Sequence, residues 1–288
     1  MNISVITVSF PLDGETLNEL KILCEEATLN DYRVYETIMN IPSAGSFESK
    51  GFMVLAYEDD NDVLVGAASA IDLIGLHTYE WSLVVTPAYR QKGIGTALVN
   101  VLQAGLEERG AEGQLAVVID GSPYGHTFIE KFGYSYSFSE ATLETKAEPV
   151  ELRDDIQIAP YAGEQTELIA IYSDAFGDLP SESEELIAFN TSMNGRKLWV
   201  AHKDGHVVGT VTTAEENEIQ WVTALAVHPQ YQGQGIGTAL LSFSKDYASK
   251  QSAKFVMLDV EIENRKALSV YEKAGFMKAQ QLDYYVKN

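Results

Sequence analysis

The sequence predicts an α/β fold built twice in tandem, each copy a mixed sheet flanked by helices. Two observations predict it. The first is a long-range repeat. "AYRQKGIGTAL" at Ala88–Leu98 returns almost unchanged as "QYQGQGIGTAL" at Gln230–Leu240. An offset of 142 carries Pro87 to Pro229, Gly93 to Gly235, Gly95 to Gly237 and Gly133 to Gly275. Upstream the register slips by one, so that Val65-Gly66 matches Val208-Gly209. Such a period is far beyond the roughly 20–50 residues of a solenoid repeat, so the copies are whole domains. The second observation is that strand-like and helix-like periodicity alternate in the same order within each copy.

The second copy shows the order most clearly. "DIQIAP" alternates as a strand, and "EQTELIAIYSDAF" and "SEELIAFNTSM" carry apolar residues at helical spacing. "KLWVAHKDGHVVGTVTT" reads as two strands around an Asp-Gly turn, a strong hairpin signal. "IQWVTALAV" is apolar enough to predict a strand buried on both faces. After the glycines comes a helix with Ile236, Ala239, Leu240, Phe243 and Tyr247 on one stripe. "KFVMLDVEI" is a further buried strand. "NRKALSVYEKAGF" is a helix that starts after Asn264 and stops at Gly275, and "MKAQQLDYYVK" closes the sheet. Each copy is therefore expected to run β-α-α-β-β-β-α-β-α-β. The polar stretch "TKAEPVELRDD" at Thr145–Asp155 marks the division, giving expected domains 1–147 and 148–288.

Composition narrows the partners. Twenty basic against 42 acidic residues leave a formal charge of −22. Such a surface repels nucleic acid and anionic lipid and draws cations, so the expectation is no nucleic acid, no membrane, and a cationic amine favoured as a ligand. One cysteine, Cys24, excludes a disulfide framework and suits a reducing compartment. The segment "MNISVITVSFPLDGETL" lacks the basic start of a signal peptide, and no apolar run reaches membrane-spanning length. A cytoplasmic protein is expected. His202 and His206 are separated by the Asp204-Gly205 turn and lack a third ligand in the pattern, so no metal is expected.

The glycines carry the chemistry. A strand ends at Pro229, a loop follows, and a helix begins near Gly235 or Gly237. The loop and the helix start present backbone N–H groups without internal partners, which together with the helix dipole make an anion site that needs no lysine. Glycine permits the positive φ values that aim several N–H groups at one point. A tight strand–helix turn is the structural alternative. The pattern is neither a P-loop nor G-x-G-x-x-G.

The string Gln232-Gly233-Gln234-Gly235-Ile236-Gly237, and its counterpart Arg90-Gln91-Lys92-Gly93-Ile94-Gly95, resembles the pyrophosphate loop of the GNAT (GCN5-related) acyl-CoA N-acyltransferases. The resemblance covers essentially both halves, and the tandem layout is similar to that of mycothiol synthase and other bacterial two-domain GNAT proteins. It implies two GNAT domains, each a mostly antiparallel sheet flanked by helices, and acetyl-CoA as acyl donor. It implies cofactor contacts from the backbone of Leu225, Ala226 and Val227, from the loop Gln232–Gly237 and Thr238, and from Asn264 to the pantetheine amide. In the first half it implies Val85, Arg90, Lys92, Gly93, Gly95 and Thr96. Tyr271, seven residues after Asn264 and ahead of Gly275-Phe276, would give its proton to the CoA thiolate.

By the residues alone, Asn264 can equally be a helix cap and Tyr271 a core aromatic. The first half has Ser122 and Ile129 at these positions, and Pro123 and Gly125 should shorten its last helix. Catalysis is therefore expected in the second domain, with the first degenerate. Trp221 and Thr223 occupy the positions where the resemblance suggests a general base, and neither titrates. Glu218 lies on the opposite face by strand alternation unless the strand bulges. The expected function is acetyl transfer to a primary amine of a small molecule or peptide. The rival expectation is a non-catalytic acyl-CoA-binding or scaffold protein.

Overall fold

The computed structural model describes residues 2–31, 35, 39, 50–72 and 77–287. The chain forms two compact units, Met1–Ser139 with Gln281–Asn288, and Glu140–Gln280.

The first unit runs β1 (Ile3–Ser9), α1 (Gly14–Asp31), β2 (Lys50–Glu58), β3 (Val63–Asp72), β4 (Thr78–Val85), α2 (Ile94–Glu108), β5 (Gly113–Ile119) and α3 (Gly125–Glu130). The start of β6 (Tyr134–Lys146) follows. The expected second helix of this copy falls on residues outside the described ones. Strand order is β1-β2-β3-β4-β5, antiparallel except that β4 and β5 are parallel. One face buries Phe52, Trp81, Leu98 and Leu102, and the other buries Leu20, Leu23, Met53 and Leu55. The sheet thus gains apolar cover from α2 on one side and α1 on the other, as a two-faced sheet requires.

The second unit takes the rest of β6 and continues with β7 (Gln157–Pro160), α4 (Gln165–Phe176), α5 (Pro180–Ser192), β8 (Arg196–Lys203) and β9 (His206–Glu216). Then come β10 (Ile219–Val227), α6 (Ile236–Lys250), β11 (Phe255–Glu261), α7 (Arg265–Lys273) and the start of β12 (Met277–Lys287). Strand order is β6-β11-β10-β9-β8-β7. The β8–β9 hairpin turns at Asp204 and Gly205, both at positive φ (51° and 79°), as a tight hairpin demands.

The closing strands are exchanged. Residues Glu140–Lys146 of β6 pair antiparallel with β11 in the second unit, Glu140 opposite Glu261 and Lys146 opposite Phe255. Leu282–Val286 of β12 pair with Ile119–Leu115 of β5 in the first unit. A cut near residue 148 divides the sequence, whereas the compact units divide at Ser139/Glu140 and again at Gln280/Gln281. The cause is this exchange, which joins residues far apart in sequence and leaves no mark in local periodicity.

One element differs from expectation. β10 is not buried on both faces: Gln220, Val222 and Ala226 are buried, while Trp221, Thr223, Leu225 and Val227 are only partly covered. These partly covered residues do not form one row, because the strand register shifts after Thr223 and puts Trp221, Thr223 and Ala226 on one face, Val222 and Val227 on the other.

Tyr284 stacks on Phe138 with ring centroids 4.5 Å apart and is buried in the core of the first unit. Tyr284→Ala should lower the stability of that unit by about 3–5 kcal/mol, the cost of truncating a buried aromatic. Scanning calorimetry should show its transition moved to lower temperature; an unmoved thermogram would mean the exchanged strand contributes nothing.

Candidate active site

Both units open their sheet at the same place. β10 and β11 pair in parallel only through Ile219–Phe255, Gln220–Val256 and Trp221–Met257, then separate. β4 and β5 likewise pair from Thr78–Gly113 to Trp81–Ala116 and then diverge. The glycine loop of each unit lies beyond the parted end. After a short 3₁₀ turn (Pro229–Tyr231), Gly233 and Gly235 sit at φ 76° and 79°, and Gly235 precedes the first residue of α6. The first helical bond is Ala239 N–H to Gly235 O, and the N–H groups from Gly233 through Thr238 have no acceptor among the described residues. The first unit repeats this, with Ala97 N–H to Gly93 O and no such acceptor for the N–H groups from Gln91 through Thr96. Unpartnered N–H groups at a helix start form an anion cradle. The third glycine serves packing instead. A Cβ on Gly237 would lie 3.3 Å from Val270, and one on Gly95 3.1 Å from Phe128, so glycine lets the next helix approach closely.

The strand ends match as well. His228 N–H bonds Val208 O, and Thr86 N–H bonds Val65 O. Backbone alternation then turns the N–H of Val227 and of Val85 toward the gap. Gln232 and Arg90, equivalent by sequence, donate to Val227 O (3.2 Å) and Val85 O (2.9 Å), tying loop to strand.

The units differ upstream of the loop. In β10, Thr223 pairs with Thr212 and Ala226 with Thr210, so Ala224 and Leu225 together face Val211. This is a β-bulge, with Ala224 at φ 48°, and it breaks the ladder beside the gap. β4 pairs with β3 from Val85–Gly66 to Tyr79–Asp72 with no interruption.

The downstream helices differ too. Asn264 caps α7, its Oδ1 accepting from Ala267 N (3.1 Å). Tyr271 is half-buried on α7 against the core of the second unit, its hydroxyl bonded to no described residue. Burial raises its phenol above the ordinary value of 10.0. In the first unit Ile129 is buried at the matching place, and α3 is shorter, beginning at Gly125, whose N–H donates to Ser122 Oγ.

The first unit nevertheless holds a cavity of about 470 Å³ between its parted strands, lined by Leu83–Val85, Gly93, Gly95, Thr96 and the start of α3. Arg90 borders it, but its guanidinium is held by Asp31 at 2.9 and 2.6 Å. Lys92 lies 4.8 Å over the Tyr89 ring.

Three features of the second unit have no sequence signal that periodicity or spacing could supply. Arg153 donates to Gln234 O (2.8 Å) and sits over Gly235, while Lys203 reaches Gln234 Oε1 at 3.5 Å. Both also pair with Asp155, whose carboxyl they hold down to about 2. Asp259 is two residues beyond the last β10–β11 pair and accepts from Thr142 Oγ1 (2.7 Å). Desolvation raises its carboxyl pKa in spite of that bond. Arg196 donates from Nη2 to Thr223 Oγ1 (2.8 Å), directly before the bulge. Glu218, in contrast, lies at the far end of β10 and pairs with Lys254 at 2.6 Å. The bulge falls after Thr223 and does not bring Glu218 to the site face.

The family model of the acetyltransferase (GNAT) family matches residues 15–134 and 165–276, one stretch in each half. The chain belongs to the GNAT acetyltransferase family. It is an N-acetyltransferase, which decides against the scaffold alternative. A mycothiol acetyltransferase of Acidothermus cellulolyticus is 26% identical over 260 residues, covering 78% of this chain and 76% of that protein. One from Paenarthrobacter aurescens is 24% identical, covering 96% and 94%. Among solved structures, a GCN5-related N-acetyltransferase from Sphaerobacter thermophilus superposes with TM-score 0.77 at 19% identity, covering 98% and 95%, a likeness of fold. A tandem GNAT protein from the clavulanic acid biosynthesis pathway gives 0.71 at 15% identity, covering 99% and 98%.

The two GNAT loops differ at one strained position. Gln91 stands at φ 58° where the second unit has Gly233. Left-handed backbone costs a non-glycine residue about 1–2 kcal/mol, partly offset by the chain entropy glycine loses on folding. Gln91→Gly should therefore stabilise the first unit by up to about 1 kcal/mol. Thermal unfolding checks this, and a lower midpoint would contradict it.

Proposed function

We propose that the chain transfers the acetyl group of acetyl-CoA to a primary amine of a small molecule or peptide, with the chemistry in the second unit. The β-bulge in β10 carries this reading. A thioester carbonyl gains negative charge as the amine attacks, and N–H donors already aimed at that point lower the barrier. Ala224 and Leu225 leave the ladder beside the gap, and the unbroken β4 has no counterpart to this bulge. The relatives named mycothiol acetyltransferase support acetyl as the group moved and a small molecule as acceptor.

The remaining roles follow from position. The N–H groups of Gly233–Thr238, with Arg153 and Lys203 beside them, would hold the pyrophosphate; Val227 N–H and Asn264 would bond the pantetheine arm. Asn264 keeps its amide Nδ2 for this while Oδ1 caps α7. Tyr271 would protonate the departing thiolate. Asp259 would take the proton of the attacking amine, a role that its raised pKa suits. A reducing, cytoplasmic setting agrees with the single cysteine, Cys24, and no helix among the described residues is long and apolar enough to cross a membrane.

A second reading concerns the first unit alone. Its cavity beside Gly93–Thr96 favours cofactor binding without turnover, since Ile129 has no proton to give.

Titration calorimetry of the whole chain with acetyl-CoA tests both. Gly235→Val, which clashes with Arg153 and strains the φ of 79°, should remove the site in the second unit. Heat that remains would report the cavity of the first. Tyr271→Phe and Asp259→Asn should each slow kcat by about 10²-fold or more while acetyl-CoA affinity stays near wild type. Because burial raises the Tyr271 phenol, kcat should not fall on the alkaline side until the pH exceeds 10.0. Full activity in either variant would remove that residue from the mechanism.

A further inference from the structure

Among its described residues the second unit holds a cation with no counter-ion. Arg196 is half-buried at the start of β8. Its Nε donates to Asn190 Oδ1 at 2.9 Å, its Nη2 to Thr223 Oγ1 at 2.8 Å, and its guanidinium lies 4.8 Å over the Phe189 ring. No described carboxylate pairs with it, in a chain of 42 acidic and 20 basic residues. Desolvation lowers its pKa and no neighbouring charge opposes that shift. Taking a guanidinium partly out of water is costly unless an anion compensates it.

Its surroundings have more donors than acceptors. Asn190 Nδ2, Thr212 Oγ1 and Trp221 Nε1 are buried without hydrogen-bond partners. Strand register places Arg196, Ala214 and Trp221 in one row, and Leu198, Thr212 and Thr223 in the next, on the same face of the sheet. Asn190 Oδ1 and Thr223 Oγ1 already accept from Arg196 itself, which leaves the Thr212 hydroxyl as the one remaining acceptor of this group. Buried donors in such number call for an oxygen-rich acceptor.

We propose that Arg196 is the recognition site for a carboxylate carried by the acyl-accepting amine. The proposal rests on reading the second unit as catalytic. A guanidinium keeps a planar pair of N–H groups for a carboxylate, and its single charge matches a monoanion rather than a phosphate dianion. Thr223 adjoins Ala224, so a carboxylate on the remaining N–H groups of Arg196 lies about two hydrogen-bond lengths, roughly 5–6 Å, from the side chain next to the bulge. The amine and the carboxylate must then be separated by few atoms, as in an amino acid. Thr223 and Asp259 are each two residues past the last β10–β11 pair, one on either wall of the gap. Arg196 binds at the first wall, and Asp259 meets the ammonium at the second. The charge of −22 favours a cation globally, but beside the bulge Arg196 presents a positive charge that no described carboxylate pairs with.

The test compares amino acids with their own primary amides, which keep the amine and lose the anion. Binding is measured by calorimetry on the full chain saturated with CoASH. At least one amino acid should bind about tenfold or more tighter than its amide. The preference should vanish in Arg196→Met and return in part in Arg196→Lys, with CoASH affinity unchanged in both. In turnover, Arg196→Met should raise KM for the amino acid and leave kcat within a few-fold. Equal affinity for acid and amide in the wild type, binding of neither, or a preference that survives Arg196→Met would overturn the proposal. Failure of the catalytic reading looks different: Gly235→Val would keep all acetyl-CoA binding and Tyr271→Phe would keep full turnover, whatever the acid–amide comparison gives.

Discussion

The parting of two parallel strands is the constraint on which the rest depends. β10 and β11 stay paired only up to Trp221 and Met257, and β4 and β5 only up to Trp81 and Ala116. Beyond those pairs, backbone groups that a continuous sheet would satisfy face a gap. Unpaired backbone groups are costly when buried, so the gap must be solvated or filled by a ligand's own polar groups. The glycine loops lie at the parted ends, where their free N–H groups and the helix dipole can meet an anion. The bulge after Thr223 borders this gap.

The same frame carries different residues in its two copies. Loop geometry is shared down to the strand-end tie, with Arg90 and Gln232 bonding equivalent carbonyls. What separates the copies is a bulge against a straight strand, and a phenol against an isoleucine. The first unit has also turned its loop arginine inward to Asp31, committing to structure a charge that the second supplies from Arg153 and Lys203. The first copy keeps the cradle and has a buried isoleucine, Ile129, where the second has the Tyr271 phenol.

Polar satisfaction ties the acceptor side to the same place. Thr223 is the last β10 residue paired before the bulge and accepts from Arg196. Asp259 stands across the gap, its carboxyl made more basic by desolvation. One wall carries a positive charge that no described carboxylate meets, and the other a carboxyl of raised basicity. That is the polarity an amine bearing an acid would find complementary.

Sequence by itself determined the duplication, the order of elements, the loops and the helix ends. Each is written in local patterns: apolar periodicity, an Asp-Gly turn, glycines where the backbone must be left-handed, an asparagine where a helix begins. The second copy's elements follow that reading closely, and the absence of a phenol at Ile129 is visible by offset alone. Tertiary structure decided the rest. The strand exchange, the bulge at Ala224 and the company of Arg196 and Asp259 depend on which strands lie side by side and where pairing stops. "IQWVTALAV" looks doubly buried because its composition is apolar, yet the bulge after Thr223 shifts its alternation and the face of Trp221 and Thr223 borders the gap. The charges that surround that face come from β8, β11 and the segment before β7, distant in the chain, and only pairing register brings them together.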